Sequence, residues 1–129
     1  MNPYASAHEA YTASAVMTAP PERLVVMLYD GAIRFLGQGA VALREGDRER
    51  ARDRIRRAEA IVSELNLCLD MSHGEVPERL RSIYLFCKRQ LLDANLHADA
   101  DKLATVQRLL VPLRDAWDEA SRIPRAEAA

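Results

Sequence analysis

Apolar residues recur along most of the chain with the spacing of a helix. In residues 103–120 they step by three and four positions and so share one helix face: Leu103, Val106, Leu110, Leu113, Trp117 and Ala120. Two earlier runs follow the same spacing: Ala51, Ile55, Ala58, Val62, Leu65 and Leu69, and then Leu80, Tyr84, Cys87, Leu91 and Ala94. Because each apolar face needs a partner to cover it, the pattern predicts a helix bundle.

Glycine, proline and aspartate divide these runs into separate helices. The breaks lie at 44–47, 71–77 and 97–101. Residues of these types commonly cap, start or end helices. We predict four helices, at about 21–44, 48–71, 77–96 and 100–121.

Short connections between these helices favour antiparallel neighbours. The predicted fold class is therefore all-α, an antiparallel four-helix bundle over 18–122. A short N-terminal leader or helix at 1–17 is expected to pack on it, and a C-terminal tail covers 123–129.

The first predicted helix carries more apolar surface than a four-helix bundle needs. One stripe contains Leu24, Leu28, Gly31, Phe35 and Ala42, and a second contains Val25, Tyr29, Ala32, Leu36, Ala40 and Leu43. The polar strip is narrow, with Asp30 and Arg34 spaced for an ion pair and Val26 at its top. Because one stripe is enough for a bundle helix, something else must cover the surplus.

Surplus apolar residues also occur on the other predicted helices. They are Ala60, Leu67 and Met71 on the second, Leu85, Leu92 and Leu96 on the third, and Val111 on the fourth. An exposed apolar patch commonly marks a partner site, and a groove between helices accepts an amphipathic helix. A wider core or a dimer contact would use the same residues, and the pattern leaves these alternatives open.

Composition and charge narrow the function without naming a partner. The 129 residues are 49% apolar and 29% charged, with a formal net charge of -1. These values fit one folded domain and not a polycation suited to nucleic acid. The N-terminus lacks the regions of a secretory signal, and no segment approaches the roughly 18 apolar residues of a membrane span. We expect a cytoplasmic protein without a membrane partner.

Residues that usually carry catalysis are sparse. Cys68 and Cys87 form no CxxC pair, and antiparallel helices would hold them too far apart for a disulfide, so both are expected to be core thiols. His8, His73 and His97 fall in the leader and the loops. No set of side chains has the spacing expected for acid–base catalysis, for nucleophilic catalysis or for binding a metal. The sequence predicts a protein that is not an enzyme and uses neither a metal nor another cofactor.

Two motifs permit other interpretations. GQGAVA at 37–42 matches the GxGxxA of nucleotide-binding turns, but no strands accompany it, so close helix packing is favoured. Arginines crowd the start of the second helix between 48 and 57, with acidic residues interleaved and no aromatic residue among them. We favour a solvated, salt-laced helix face there, that is, a solvent-exposed face on which these arginines form ion pairs with the interleaved acidic residues. A helical nucleic-acid-binding or other protein-interaction module using this helix is the alternative.

Several segments resemble the flagellar export chaperones of the FliS type. The opening matches at Asn2-Pro3-Tyr4, Tyr11, Val16, Thr18-Ala19, Pro21, Leu24 and MLYDGA at 27–32. The likeness continues through RAEAIVSELNLCLD at 57–70 and LRDAWDEA at 113–120, so it covers nearly the whole chain in order. Pro112 departs from the pattern and should kink the fourth helix.

The resemblance implies a cytoplasmic bundle that binds the disordered C-terminal segment of flagellin, prevents its early polymerisation and passes it to the export apparatus. Components of that apparatus would be further partners, and nucleic acid would not. The resemblance also implies that the leader covers part of the binding surface, with Tyr4, Tyr11 and Val16 as a plug that flagellin displaces. The oligomeric state stays open between a monomer and a weak homodimer.

The surplus apolar surface and the resemblance together select the predicted partner-binding residues. They are Tyr4, Tyr11, Val16, Val26, Tyr29, Ile33, Leu67, Met71, Leu85, Leu92, Leu96 and Val111.

Overall fold

Four helices make up the part of the chain that the structure, a computed structural model, describes, which is residues 21–72 and 74–123. They are α1 (Pro21–Arg44), α2 (Arg48–Leu67), α3 (Glu75–His97) and α4 (Ala100–Ser121). No strand occurs within these two ranges, and the predicted all-α four-helix fold is confirmed. The leader predicted at 1–17, with Tyr4, Tyr11 and Val16, lies outside the described residues.

The helices form a ring in which α1 and α3 lie across the core from each other. α1 packs against α2 and α4, and α3 packs less closely against the same two helices. Gly39 explains part of this difference, because a Cβ there would lie only 3.3 Å from Ile55 Cγ1 and 3.5 Å from Leu103 Cδ1. The missing side chain lets α2 and α4 approach the backbone of α1 closely.

The core consists of one inward face from each helix. The periodic residues of α2 and α3 supply most of their share, and α4 contributes Leu103, Val106 and Leu110, all fully buried. Leu113 and Trp117 continue the α4 face but are only partly buried, and Ala120 is exposed. The predicted apolar faces are therefore correct, although the α4 face is less tightly covered beyond Pro112.

Local hydrogen bonds set the connections between helices. The Asp47 side chain accepts from the backbone N–H of Arg50 at 3.1 Å, which caps the start of α2. α2 ends at Leu67, four residues before the predicted end. The Asp70 side chain accepts from the backbone N–H of Ser72 at 3.0 Å instead, and this turn places Met71 outside the helix.

The glycines of GQGAVA lie inside a continuous helix. Gly37 and Gly39 both belong to α1, and the helix runs through the whole motif to Arg44. A nucleotide-binding turn needs a strand before it and a helix starting within it. The nucleotide interpretation is therefore wrong, and close helix packing explains Gly39.

Within residues 21–72 and 74–123, one helix is long and apolar enough to cross a bilayer. This helix is Glu22–Arg44, within α1, and it qualifies by its length and composition alone. The expectation that no segment approaches a membrane span was too strict. The same stretch buries Tyr29, Ala32 and Leu36 in the bundle core, as a core helix of a water-soluble protein does.

Candidate functional site

The most exposed apolar side chains on the body of α3 form one stripe along that helix. Leu85 is 38% exposed, Leu92 is 62% exposed and Leu96 is 65% exposed. They are spaced by seven and four residues, so they lie on one face of the helix. The opposite face of α3 is sealed in the core by Tyr84, Leu91 and their neighbours.

This stripe lines an open groove of about 760 Å³ between α2 and α3. The apolar lining is completed by Ile55 of α2 and Leu91 of α3. α3, which forms one wall of the groove, packs less closely than α1 against its neighbours. Three of the predicted partner-binding residues, Leu85, Leu92 and Leu96, therefore meet in one place.

Positive side chains border the same groove. Arg48, Arg52 and Arg56 line it from α2, and Lys88 and Arg89 line it from α3. The three arginines of α2 are four residues apart, which puts them on one face of that helix.

The acidic residues of α2 mostly lie on other faces. The Asp53 carboxylate pairs with Arg54 and, at 2.8 Å, with the Nε of Arg57. Glu59 is the one carboxylate that lines the groove, where it is 3.7 Å from Lys88 Nζ. The solvated, salt-laced face predicted for the start of α2 forms around Asp53, whereas Arg48, Arg52 and Arg56 lie on the face that borders the groove.

Val26 and Tyr29 do not lie on an open surface. Both have an exposure of 0% in the folded chain. Val26 shares a face of α1 with Arg23 and Asp30, whose ionic partners belong to α4, and so this face lies against α4. As a correction, neither residue is available to a partner in this conformation, although sequence reasoning placed Val26 on the polar strip.

The Asp30 carboxylate pairs with α4 and not with its own helix. It accepts from the Nε of Arg114 at 2.7 Å, and the predicted ion pair with Arg34 does not form. Asp118, also on α4, binds Arg23 of α1 and the guanidiniums of Arg114 and Arg122. The hydrogen bond from Arg23, with the nearby guanidiniums, holds the pKa of the Asp118 carboxyl below its usual range. This network joins α1 to the second half of α4.

Ile33 and Val111 belong to a different part of the surface. Ile33 is partly buried against the core, and its carbonyl accepts from Gln107 Nε2 at 3.3 Å. Val111 is 40% exposed beside Pro112 in a shallow depression of α4. α4 continues as a helix through Pro112 from Ala100 to Ser121.

Leu67 and Met71 lie beyond the groove, near the connection between α2 and α3. They are 78% and 44% exposed, and neither lines the groove. Val76, 64% exposed at the start of α3, is close to them in sequence and was not predicted as a surface residue. Its position just before Pro77, at a helix start, was the available signal.

The two cysteines occupy different environments. Cys87 is fully buried, and burial raises the pKa of its thiol to about 11. Cys68 is exposed, contrary to the expectation of a core thiol, because α2 ends just before it. Burial of part of the side chain, with Glu64 nearby, raises the pKa of the Cys68 thiol. Both thiols are free.

Among residues 21–72 and 74–123, no group of three His, Cys, Asp or Glu side chains is placed to hold a metal ion. The arrangement offers apolar contact and positive charge, which are properties of a binding surface. The fold and the groove together define a small helical-bundle protein with an open, positively bordered apolar cleft.

Comparisons with known proteins agree with this description. The family model "Flagellar protein FliS" matches residues 4–124. The flagellar secretion chaperone FliS of Bacillus subtilis (strain 168) is 33% identical over 126 residues, covering 98% of this chain and 91% of the relative. The flagellar secretion chaperone FliS of Salmonella typhimurium is 36% identical over 110 residues, covering 84% and 82%.

A solved structure described as "Crystal structure of flagellar chaperone from bacteria" has the same fold. It superposes with a TM-score of 0.74 at 18% sequence identity and covers 92% of this chain and 97% of its own. The family match and the curated relatives establish that this chain belongs to the FliS family of flagellar proteins.

Proposed function

We propose that this protein is a cytoplasmic, non-enzymatic flagellar secretion chaperone that binds the disordered C-terminal segment of flagellin through apolar helix grooves. Membership of the FliS family and the names of its relatives support the chaperone role. Binding would keep flagellin from polymerising early and would make it available to components of the export apparatus.

One observation supports the binding step above the others. Leu85, Leu92 and Leu96 remain exposed and line one groove of about 760 Å³, whereas Tyr84 and Leu91 on the other side of the same helix are buried in the core. A disordered segment that folds as an amphipathic helix in this groove would cover them.

The free energy of burying apolar side chains and the cost of ordering the client segment nearly offset each other, which favours a reversible complex. Full burial of a leucine contributes about 1.5–3 kcal/mol, whereas ordering one backbone residue costs about 1–2 kcal/mol. Three partly exposed leucines cannot offset the ordering of a three-turn helix without the client's own apolar side chains. The remaining predicted contacts, Ile33, Leu67, Met71 and Val111 on the described surface and Tyr4, Tyr11 and Val16 in the leader, stay part of the proposal as further contact points.

A nucleic-acid-binding module is the second candidate, because arginines border the groove. Single-stranded nucleic acids bind by stacking bases on aromatic side chains as well as by charge. No aromatic residue lines the groove in the described part of the chain. An apolar floor of leucines suits a helix better than a row of bases.

A pull-down from the native cytoplasm tests the proposed function. The wild-type protein is compared with a variant carrying Leu85→Asp and Leu92→Asp, and with a matched control, Val41→Asp, which is 47% exposed on α1. We expect the groove variant to lose the flagellin band and the control to keep it, with equal helical circular dichroism for all three. If the material that co-purifies with the protein were mainly RNA, the proposal would be contradicted.

A further inference from the structure

The arginines that border the α2–α3 groove have no anionic partner in the described chain. The guanidinium groups of Arg48, Arg52, Arg56 and Arg89 form no ion pair or hydrogen bond with any residue in 21–72 or 74–123. Some other arginines are paired: Arg57 binds Asp53, and Arg114 binds Asp30. In this groove, by contrast, four unpaired guanidinium groups stand next to open apolar surface.

From this juxtaposition we propose that the groove selects an amphipathic helix whose apolar stripe is flanked by carboxylates. The inference rests on the proposed function, because it specifies the chemistry of the client segment that this groove accepts. The apolar stripe would cover Leu85, Leu92 and Leu96, and the flanking Asp or Glu side chains would meet the arginines.

The positions of the charges define the occupant further. Arg48, Arg52 and Arg56 repeat about every 6 Å along α2, and Lys88 and Arg89 stand on the α3 wall. Positive groups thus border the floor from both helices. From Leu85 to Leu96 the floor is eleven residues long, or about 16 Å, which fits about three turns of a bound helix. Carboxylates three or four residues apart on such a helix would follow the row of arginines.

Glu59 makes the positive charge uneven along the length of the groove. It is the groove's one carboxylate, it lies near Lys88, and it also accepts a hydrogen bond from Ser63 Oγ at 3.2 Å. Positive charge is thus partly neutralised at this end and uncompensated toward Arg48. The client's acidic residues should therefore lie mainly at the end of its helix that meets Arg48 and Arg52.

The occupant is a peptide and not a nucleic acid or a membrane surface, because the cleft is concave and its floor is made of leucine and isoleucine. Phosphate groups would satisfy the arginines but would leave that floor exposed to water. A carboxylate-flanked apolar helix satisfies both, and complementary charge gives specificity more than affinity.

The test uses the full-length protein and two kinds of probe. The first probe is the C-terminal segment of flagellin. The second is a pair of designed twelve-residue helical peptides with one leucine stripe, flanked by Glu in one and by Lys in the other. Binding is measured by fluorescence anisotropy at 50 mM and 500 mM NaCl. The test variant carries Arg52→Glu and Arg56→Glu, and the matched control carries Arg50→Glu and Arg81→Glu, exposed residues outside the groove.

We expect the Glu-flanked peptide to bind the wild type at least tenfold more tightly than the Lys-flanked peptide at 50 mM NaCl. The preference should shrink at 500 mM because salt screens it. In the test variant the groove carries three cations and three carboxylates, so the preference should be abolished, and the control should keep it. Equal binding of both peptides to the wild type, or equal effects of test variant and control, would overturn this inference even if the flagellin segment binds. Tighter binding of an RNA oligonucleotide than of the Glu-flanked peptide would also overturn it. Failure of the flagellin segment to bind wild type would instead refute the proposed function.

Discussion

The hydroxyl groups of Tyr29 and Tyr84 form a buried hydrogen bond across the centre of the bundle. Tyr29 lies on α1 and Tyr84 on α3, the two helices that lie diagonally, and their ring centroids are 6.5 Å apart. Burial raises the pKa of both phenols. These hydroxyls thus connect α3, the more loosely packed helix that carries the groove leucines, to the most closely packed helix.

Removing one hydroxyl of this pair should destabilise the protein more than removing both. Tyr29→Phe leaves the Tyr84 hydroxyl buried without its partner, which costs about 1–3 kcal/mol of unfolding free energy. In the double variant with Tyr84→Phe no buried hydroxyl is left without a partner, so the loss of unfolding free energy should be smaller than in either single variant. Urea unfolding of the four proteins measures the coupling. Strict additivity would contradict a direct hydroxyl–hydroxyl bond.

The buried Cys87 thiol should make stability fall at alkaline pH. Burial raises the pKa of this thiol to about 11 from 9.0, so its stabilising contribution is fully present below pH 9 and is lost between pH 9 and 11. One such group gives a slope of about 1.4 kcal/mol per pH unit. Urea unfolding under reducing conditions at pH 8, 9 and 10 should show this loss in wild type.

Single substitutions separate the two thiols. Cys87→Ala should remove that part of the pH dependence, whereas Cys68→Ala should keep most of it because Cys68 is exposed. The same slope in wild type and in Cys87→Ala would contradict the assignment. Burial also raises the pKa of the Tyr29 and Tyr84 phenols, and their contribution is lost only from about pH 10 upward, where phenols ionise in the unfolded chain, so the interval from pH 8 to 9 reports mainly on the thiol.

Glycine-to-alanine changes should have opposite signs at two positions. Gly46 has φ of +77°, where alanine is strained, and Gly46→Ala should cost about 1–2 kcal/mol of unfolding free energy. At Gly37 a Cβ would lie 3.6 Å from Gln107 Nε2, an ordinary contact, and Gly37→Ala should add about 0.5–1 kcal/mol through helix propensity. Thermal melts compare the two, and a stabilising Gly46→Ala would contradict the described turn.

The cap of α2 should contribute measurably to stability. Asp47→Ala removes the acceptor for the Arg50 N–H and should lower the unfolding free energy by about 1 kcal/mol. Asp47→Asn keeps an acceptor oxygen and should recover most of the loss. If both substitutions cost the same, the carboxylate would act through charge alone and not as a cap.

The core was predictable from the sequence because its residues repeat at a helical period. The stripes with Ile55, Tyr84 and Leu110 are buried as the spacing required. Burial beside another helix was not predictable. Val26 looked exposed because periodicity defines faces within one helix, whereas its cover depends on which face of α1 lies against α4.

The candidate groove was predictable in its apolar part only. Leu85, Leu92 and Leu96 were identified from their spacing, but the arginines of α2 appeared as a neutral mixture with Asp53 and Glu59. The sequence contained the missing signal, since Arg48, Arg52 and Arg56 are each four residues apart. Only the neighbouring position of α3 shows that this arginine row and the leucine stripe border one cleft.

Calorimetric titration of the purified flagellin C-terminal segment into the full-length protein tests the central claim most directly. Wild type is compared with Leu92→Asp plus Leu96→Asp, and with Val41→Asp as the control of equal chemistry on α1. We predict a complex with a negative heat-capacity change for wild type, a loss of affinity of at least thirtyfold for the groove variant, and less than threefold for the control. Equal affinity of the groove variant and wild type would show that the exposed leucines of α3 do not hold the client.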